Sequence, residues 1–381
     1  MFCSFEARQL LDSRGKATVE AVVSGFSGIA PSGASTGKHE LPEKRGKNGF
    51  LDAVKKINSL KPVDFSNLSK FDRWVAGLDL GSNASTALSF AAARAFAAEK
   101  KLPLWNYLSV FSHQTPNLPF LQLNLINGGK HAGLENDVQE HSFVSKEKTL
   151  GARVWAGASV YQELKVLLVK KFGPKAGLVG DEGGFVVGSS AEERLALLEK
   201  ACDNAGVKPL FALDCAASEF YGGKNYKLGK KTFTKEKLVA YYEKLSQDFS
   251  LDSIEDGFAE DDWAGWILLN KALGKKLLVI GDDLLVTNAM RVSESVEKKA
   301  CNSLLVKPNQ VGSITAAVSA CKAARKNGLK LVASHRSGET EDSFMAHFAA
   351  GLGCEYAKFG APCRSERLAK YNELLRIEEA F

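Results

Sequence analysis

The sequence predicts an α/β protein: a TIM-like β/α barrel with a smaller N-terminal α+β capping domain. Three observations carry this. Short apolar runs recur through the second half of the chain, ending in turn at Asp214, Glu255, Asp282, Lys307, His335 and Lys358, so that by subtraction the intervals are 41, 27, 25, 28 and 23 residues. Helical patterns fill most of these intervals, over 235–249, 261–273, 288–299, 313–327 and 339–352. The first ~115 residues have a different texture, with strand alternation followed by helices and no such repeat. Strand, functional end, helix is the signature of a barrel whose site lies at the strand C-termini. An open doubly wound sheet alternates similarly, but it gathers its polar ends at one switch point. Here every strand end is polar.

Taken in order, residues 18–24 alternate like a sheet strand, and 25–28 read as a hairpin turn. The loop from Ile29 to Glu40 is rich in small and flexible residues. Alone it reads as a surface turn; in company with a polar site it reads as a lid. Helical patterns follow over 50–60, 68–78 and 84–100. The capping domain is thus drawn at 1–115 and the barrel domain at 116–381. Residues 118–127 open the barrel, and the turn at 128–133 presents His131. Gln139 and Glu140 come next, then a helix over 150–171 and a flexible loop holding Asp181 and Glu182. The strand before Asp282 and Asp283 is the sharpest feature, since a buried strand that ends in paired negative charge needs a positive partner. The plainer reading is that these aspartates cap the helix beginning near Asn288.

The chain is long enough, at 381 residues, for a barrel and a second domain. No apolar run approaches a membrane span, and the start lacks a signal-peptide core. Seven scattered cysteines without a Cys-x-x-Cys pair predict reduced thiols and a cytoplasmic setting. Cys215, beside Asp214, reads as a packed small hydrophobe. A net charge of +6 with no aromatic-interleaved basic block argues against nucleic-acid binding and suits an anionic small substrate.

Asp214, Glu255 and Asp282, from neighbouring strands, converge as hard oxygen ligands, which favours Mg²⁺ over zinc or copper. Structural ion pairs with Lys307 and Lys358 are the rival. Both readings hold together if a cation lowers the lysine pKa, and desolvation after 304–306 lowers Lys307 further, towards a general base. His335, Arg336 and Ser337 together suit a phosphate or carboxylate. Glu182 and Glu140 can give a proton to a leaving group if burial or a second carboxylate raises one of them. The reaction class is proton removal beside a carboxylate, then loss of a β-substituent: a dehydration.

The motifs resemble those of enolase (phosphopyruvate hydratase). They run from Asp12-Ser-Arg-Gly15 to Arg376-Ile-Glu-Glu379, nearly the whole chain. Among them are Pro31-Ser-Gly-Ala-Ser-Thr-Gly37, Asn127-Gly-Gly-Lys-His-Ala-Gly133, Gly180-Asp-Glu-Gly-Gly184, Ser253-Ile-Glu-Asp256 and Ser334-His-Arg-Ser-Gly-Glu-Thr-Glu-Asp342. The resemblance implies interconversion of 2-phosphoglycerate and phosphoenolpyruvate with two Mg²⁺ per site. It implies Asp214, Glu255 and Asp282 around the first ion, and Ser35 at the second ion and the phosphate. Lys307 is then the base, with Glu182 as acid aided by Glu140. Lys358 meets the substrate carboxylate, Arg336 and Ser337 the phosphate, and His131, His335 and Gln139 line the pocket. It implies an antiparallel strand near the barrel's start and a homodimer, or a larger ring, with Arg8, Arg14 and the Glu378 region at its interface.

Some positions depart from the family pattern: Gly257 for a usual Pro, His141 for an aromatic or apolar residue, Phe359 for Thr, and Lys16-Ala17 for Asn-Pro. None removes a group that performs chemistry. Two other functions compete. An acid-sugar lyase would need neither the Ser35 loop nor the Arg336-Ser337 pair. A noncatalytic descendant would be expected to have lost Lys307, Glu182 or a metal ligand.

Overall fold

The computed structural model describes residues 1–33 and 37–381; Ser35, expected at a second metal ion, lies outside them. At the N-terminus Phe2–Cys3 (β1) pairs with Val63–Asp64 (β5), while Phe5–Leu11 (β2), Ala17–Val23 (β3) and Phe26–Ile29 (β4) form an antiparallel sheet. The alternation in β3 buries Val19, Ala21 and Val23. The β3–β4 turn is tighter than expected, because Ser24 and Gly25 both take positive φ, 51° and 86°. A two-residue turn of that hand matches strand twist, so 26–28 is strand and not turn.

Helices Leu51–Asn58 (α1), Leu68–Gly77 (α2), Ser82–Glu99 (α3) and Leu104–Ser112 (α4) complete the cap. Nearly all of α3 is buried, which its alanines and serines permit. It lies so close to β4 that a Cβ on Gly28 would sit 2.5 Å from the Ala87 carbonyl oxygen. On the barrel side, Ser89 of α3 accepts the Ile314 amide at 2.9 Å.

The barrel strands are Phe120–Asn127 (β6), Glu140–Ser145 (β7), Phe211–Asp214 (β9), Leu251–Glu255 (β12), Leu278–Gly281 (β13), Ser303–Val306 (β14), Lys330–Ser334 (β15) and Tyr356–Lys358 (β16). Short Phe185–Val186 (β8) adds to β6, and Tyr226–Leu228 (β10) with Lys231–Phe233 (β11) makes a hairpin within the long 41-residue interval. Round the ring the order is β16-β15-β14-β13-β12-β9-β7-β6, closed by β16 against β6. Strand β7 runs antiparallel to both neighbours, as the resemblance implied. Val144, Ala212, Ile280, Leu305, Val332 and Tyr356 form a small apolar cluster of their own. They come from six barrel strands and fill the interior.

Outside the strands lie Leu150–Phe172 (α5), Ala191–Ala205 (α6), Lys235–Asp248 (α7), Trp263–Leu273 (α8), Ala289–Lys298 (α9), Ile314–Lys326 (α10), Phe344–Gly351 (α11) and Ser365–Glu379 (α12). Helix α11 starts five residues later than its pattern. Asp342 accepts the Phe344 amide at 2.8 Å, while the Glu339 carboxylate turns back to the Arg336 amide at 3.1 Å. Helix α9 is capped by Asn288, which accepts from the Met290 and Arg291 amides. Capping therefore does not account for Asp282 and Asp283. Among the described residues no helix is long and apolar enough to cross a membrane. All seven cysteines are free, and burial pushes the Cys215 thiol up.

Candidate active site

Asp214, Glu255, Asp282, Lys307, His335 and Lys358 sit at or just beyond a strand's C-terminal end, where the apolar run stops, while Glu140 opens β7 and Glu182 lies in the loop before β8. Lys358, the last residue of β16, is the hub. Its ammonium lies 2.9 Å from Asp214 Oδ2, 2.9 Å from Glu255 Oε2 and 3.1 Å from Glu140 Oε2. Burial works to lower its pKa, but the facing carboxylates outweigh this and hold it well above the ordinary lysine value. Lys307, one residue past β14, is paired with Asp282. Sequence reasoning expected desolvation to bring Lys307 down. In the structure burial does act that way and is the largest single influence, but the charges of Asp282 and Glu255 work against it and the net direction is upward. A desolvated lysine stays an ammonium while its carboxylate partner remains in contact.

Asp282 is fixed by a relay. Val286 and Thr287, after β13, are β-branched residues at φ 41° and 52°, a costly conformation. There the Thr287 hydroxyl accepts the Lys307 amide at 2.9 Å and donates to Gln310 Oε1 at 2.6 Å. Gln310 in turn donates to Asp282 Oδ1 at 2.9 Å. Asp256 supports the same corner, accepting the Asp282 and Asp283 amides at 2.9 Å each.

The ligand atoms of Asp256, Asp282 and Asp283 all lie within 4.8 Å of one another, as do those of His131, Glu140 and Glu182. The expected trio is arranged differently: Asp214 and Glu255 share Lys358, while Asp282 faces Lys307. It still fits a cation. Glu255 Oε1 is buried without a hydrogen-bond partner, and burial with the nearby Asp214 charge pushes Glu255 up to about 8. Such a carboxyl gains by meeting positive charge. Gln139 lies beside this trio, its amide 3.5 Å from Asp214 Oδ2.

On the other side of the mouth, Glu182 Oε2 accepts from Asn124 Nδ2 at 3.1 Å, with His335 Nε2 at 3.5 Å and His131 Nδ1 at 3.8 Å. His131 Nδ1 is also 3.6 Å from Glu140 Oε1, and its Nε2 is 3.4 Å from the Ser337 hydroxyl. The two glutamates differ in polarity. Burial, and beyond it the charges of Glu182, Asp214 and Glu255, hold Glu140 well above the usual carboxylate range. Burial also works to raise Glu182, but the positive charges facing it, those of Arg367 and Lys358 among them, outweigh this and hold Glu182 well below that range. Of the two, Glu140 is the one whose surroundings favour the protonated form. Arg336 is clasped by Glu40, Nη1 to Oε2 at 3.0 Å and Nη2 to Oε1 at 3.2 Å, and also donates to Asn309 Oδ1 at 3.2 Å.

All the expected groups among the described residues except Glu255 line one cavity of about 40 Å³; Glu255 stands behind it on Lys358. Sequence reasoning missed Asn124, Glu40, Asp256, Gln310 and Arg367. Asp256 stood within the Ser253-Ile-Glu-Asp256 motif, and only the side-chain partners of these residues reveal what they do.

A closed β/α barrel with carboxylates, lysines and an arginine at the strand C-termini defines an acid–base enzyme for an anionic substrate. Comparison with known proteins sets the family. Residues 3–108 match the sequence model "Enolase, N-terminal domain", and residues 115–381 match "Enolase, C-terminal TIM barrel domain". The chain is 43% identical over 413 residues to Enolase 1 of Entamoeba histolytica, covering 98% of this chain and 94% of that protein. It is 42% identical over 400 residues to the enolase of Methanocaldococcus jannaschii, with the same coverage, and 42% identical over 414 residues to that of Mastigamoeba balamuthi. The chain belongs to the enolase family, and it is an enzyme.

Proposed function

We propose that the protein interconverts 2-phosphoglycerate and phosphoenolpyruvate plus water. One observation supports this most directly. In the eight-strand ring β14, which delivers Lys307, stands opposite β7, which carries Glu140, and both side chains face the same cavity. A base on one side and a carboxyl proton on the other suit loss of a proton and a hydroxyl from adjacent carbons.

In this reading Lys307 Nζ takes the proton from the carbon beside the carboxylate, and the electron pair moves onto that carboxylate. The electron pair held on the carboxylate then returns to form the C=C bond as the neighbouring C–O bond breaks, and the hydroxyl leaves as water with a proton that Glu182 passes on from the Glu140–Glu182 pair. Lys358 offsets charge on the carboxylate. Arg336 and Ser337 hold the phosphate, with His131, His335 and Gln139 along the pocket wall. Lys307 acts as a base only after Asp282 is engaged elsewhere. The positive charges of Arg336 and Lys358 then press its pKa down.

Asp214, Glu255 and Asp282 would hold a divalent cation, magnesium by the all-oxygen donor set, and Ser35 would help hold a second. Bound there, the ions would supply Lewis acidity that stabilises the dianion. We read the chain as a cytoplasmic homodimer with domains divided at 115/116. Arg14 and Glu378 are used within the protomer, on the Gly33 carbonyl and the Leu150 and Gly151 amides. Arg8 pairs with Glu20 at 3.3 Å within the protomer but stays exposed, and with the exposed Leu11 and Trp155 it is left for an interface.

The test is ultraviolet absorbance of phosphoenolpyruvate on adding 2-phosphoglycerate with magnesium. A rise abolished by a chelator is expected. A folded protein giving no rise at any magnesium concentration overturns the reading.

A further inference from the structure

Arg367, in the first turn of α12, is fully buried. Its Nη1 lies 2.7 Å from His335 Nδ1 and donates to the Arg336 carbonyl at 2.7 Å. Its Nη2 donates to the carbonyls of Asp181 at 2.9 Å and Ser337 at 2.7 Å. The nearest carboxylate, that of Glu366, is 3.5 Å from Nε. A buried guanidinium spent on carbonyls and an imidazole is costly to place. The backbone makes room for it: Gly360, at φ +87°, would put a Cβ 3.0 Å from Arg367 Cδ and 3.2 Å from His335 Cε1.

The chemistry of the contact decides a proton's place. A guanidinium carries donors only, so His335 Nδ1 accepts. The ring hydrogen is then on Nε2, which is 3.5 Å from Glu182 Oε2. The other Arg367 bonds tie the loop carrying Glu182 to the segment 335–337. We propose that Arg367 is a positioning residue for the dehydration, fixing His335 as the neutral Nε2–H tautomer aimed at Glu182. This rests on the reading of Glu182 as part of the proton-donating pair. A ring with its hydrogen on Nδ1 would present a lone pair to the Glu182 carboxylate, and the two would repel.

The measurement is ¹⁵N NMR of the full-length protein labelled at its six histidines, without substrate, with His335 assigned by His335→Asn. The wild type is expected to show His335 neutral with its proton on Nε2. Arg367→Met, which removes every donor, is expected to lose that preference and to lower kcat roughly tenfold or more, with a smaller change in KM. Arg367→Lys, which keeps one donor near Nδ1, should restore the tautomer and part of kcat. A wild-type His335 protonated on Nδ1, or on both nitrogens, overturns the proposal. So does a folded Arg367→Met protein with wild-type kcat. If that variant does not fold, the wild-type and Arg367→Lys spectra decide. A wild type with the Nε2–H tautomer and no dehydration activity would instead refute the proposed function.

Discussion

Glu40 is the residue that most changes how the site is understood. Its carboxylate occupies Arg336 in the geometry a phosphate would use, and it also accepts the Gly37 amide at 3.0 Å. The cavity beside it is small, about 40 Å³. An anion that takes Arg336 must displace Glu40 from it. Glu40→Gln keeps the shape and removes the charge. Inorganic phosphate should then bind about fivefold tighter by calorimetry, the equivalent of about 1 kcal/mol. Weaker binding would show that Glu40 supports the phosphate grip instead of competing for it. The residues expected to act were legible because polar groups stood at the ends of apolar runs. Glu40 was not, since it lies in a loop whose partner is 296 positions away.

At the level of elements, α2 and α10 join the cap to the barrel through a buried carboxylate. Asp72 accepts the Thr315 amide at 2.9 Å and the Thr315 hydroxyl at 2.6 Å, and burial pushes it up to about 6. A carboxyl whose folded pKa exceeds its unfolded value near 3.8 binds its proton more tightly in the folded state. It therefore adds stability as pH falls from 7 through 6 towards 4. Asp72→Asn has no such proton. The difference in Tm, wild type minus variant, should grow between pH 7 and pH 5. A flat or shrinking difference would place the burial cost elsewhere. Strand and helix order in the barrel was readable because β14 and its neighbours are short apolar runs between amphipathic stretches. Helices α4, α6 and α12 were overlooked, although the Ser190-x-x-Glu193 pattern marks the start of α6, where Ser190 accepts the Glu193 amide. The β10–β11 hairpin was hidden because its strands are three residues each, too short to show a period.

In the whole molecule, ring closure brings together residues that the sequence spreads from Asn124 to Arg367. The spacing of strand ends announces a barrel. It does not show that β7 runs backwards, because an antiparallel strand has the same alternation as a parallel one. Residues 128–139 between β6 and β7 hold only the short 3₁₀ helix Gly129–Ala132 and no α-helix, and β7 returns antiparallel beside β6. The reversal also places Glu140 at the start of its strand and still at the same mouth as the other ends. The central claim is that Lys307 performs the proton abstraction at this mouth. Phosphoenolpyruvate absorbance, with magnesium and 2-phosphoglycerate, compares wild type with Lys307→Ala. The account predicts a rise in the wild type and none in a variant that folds normally. A rise that survives Lys307→Ala would contradict it and assign the proton to another base.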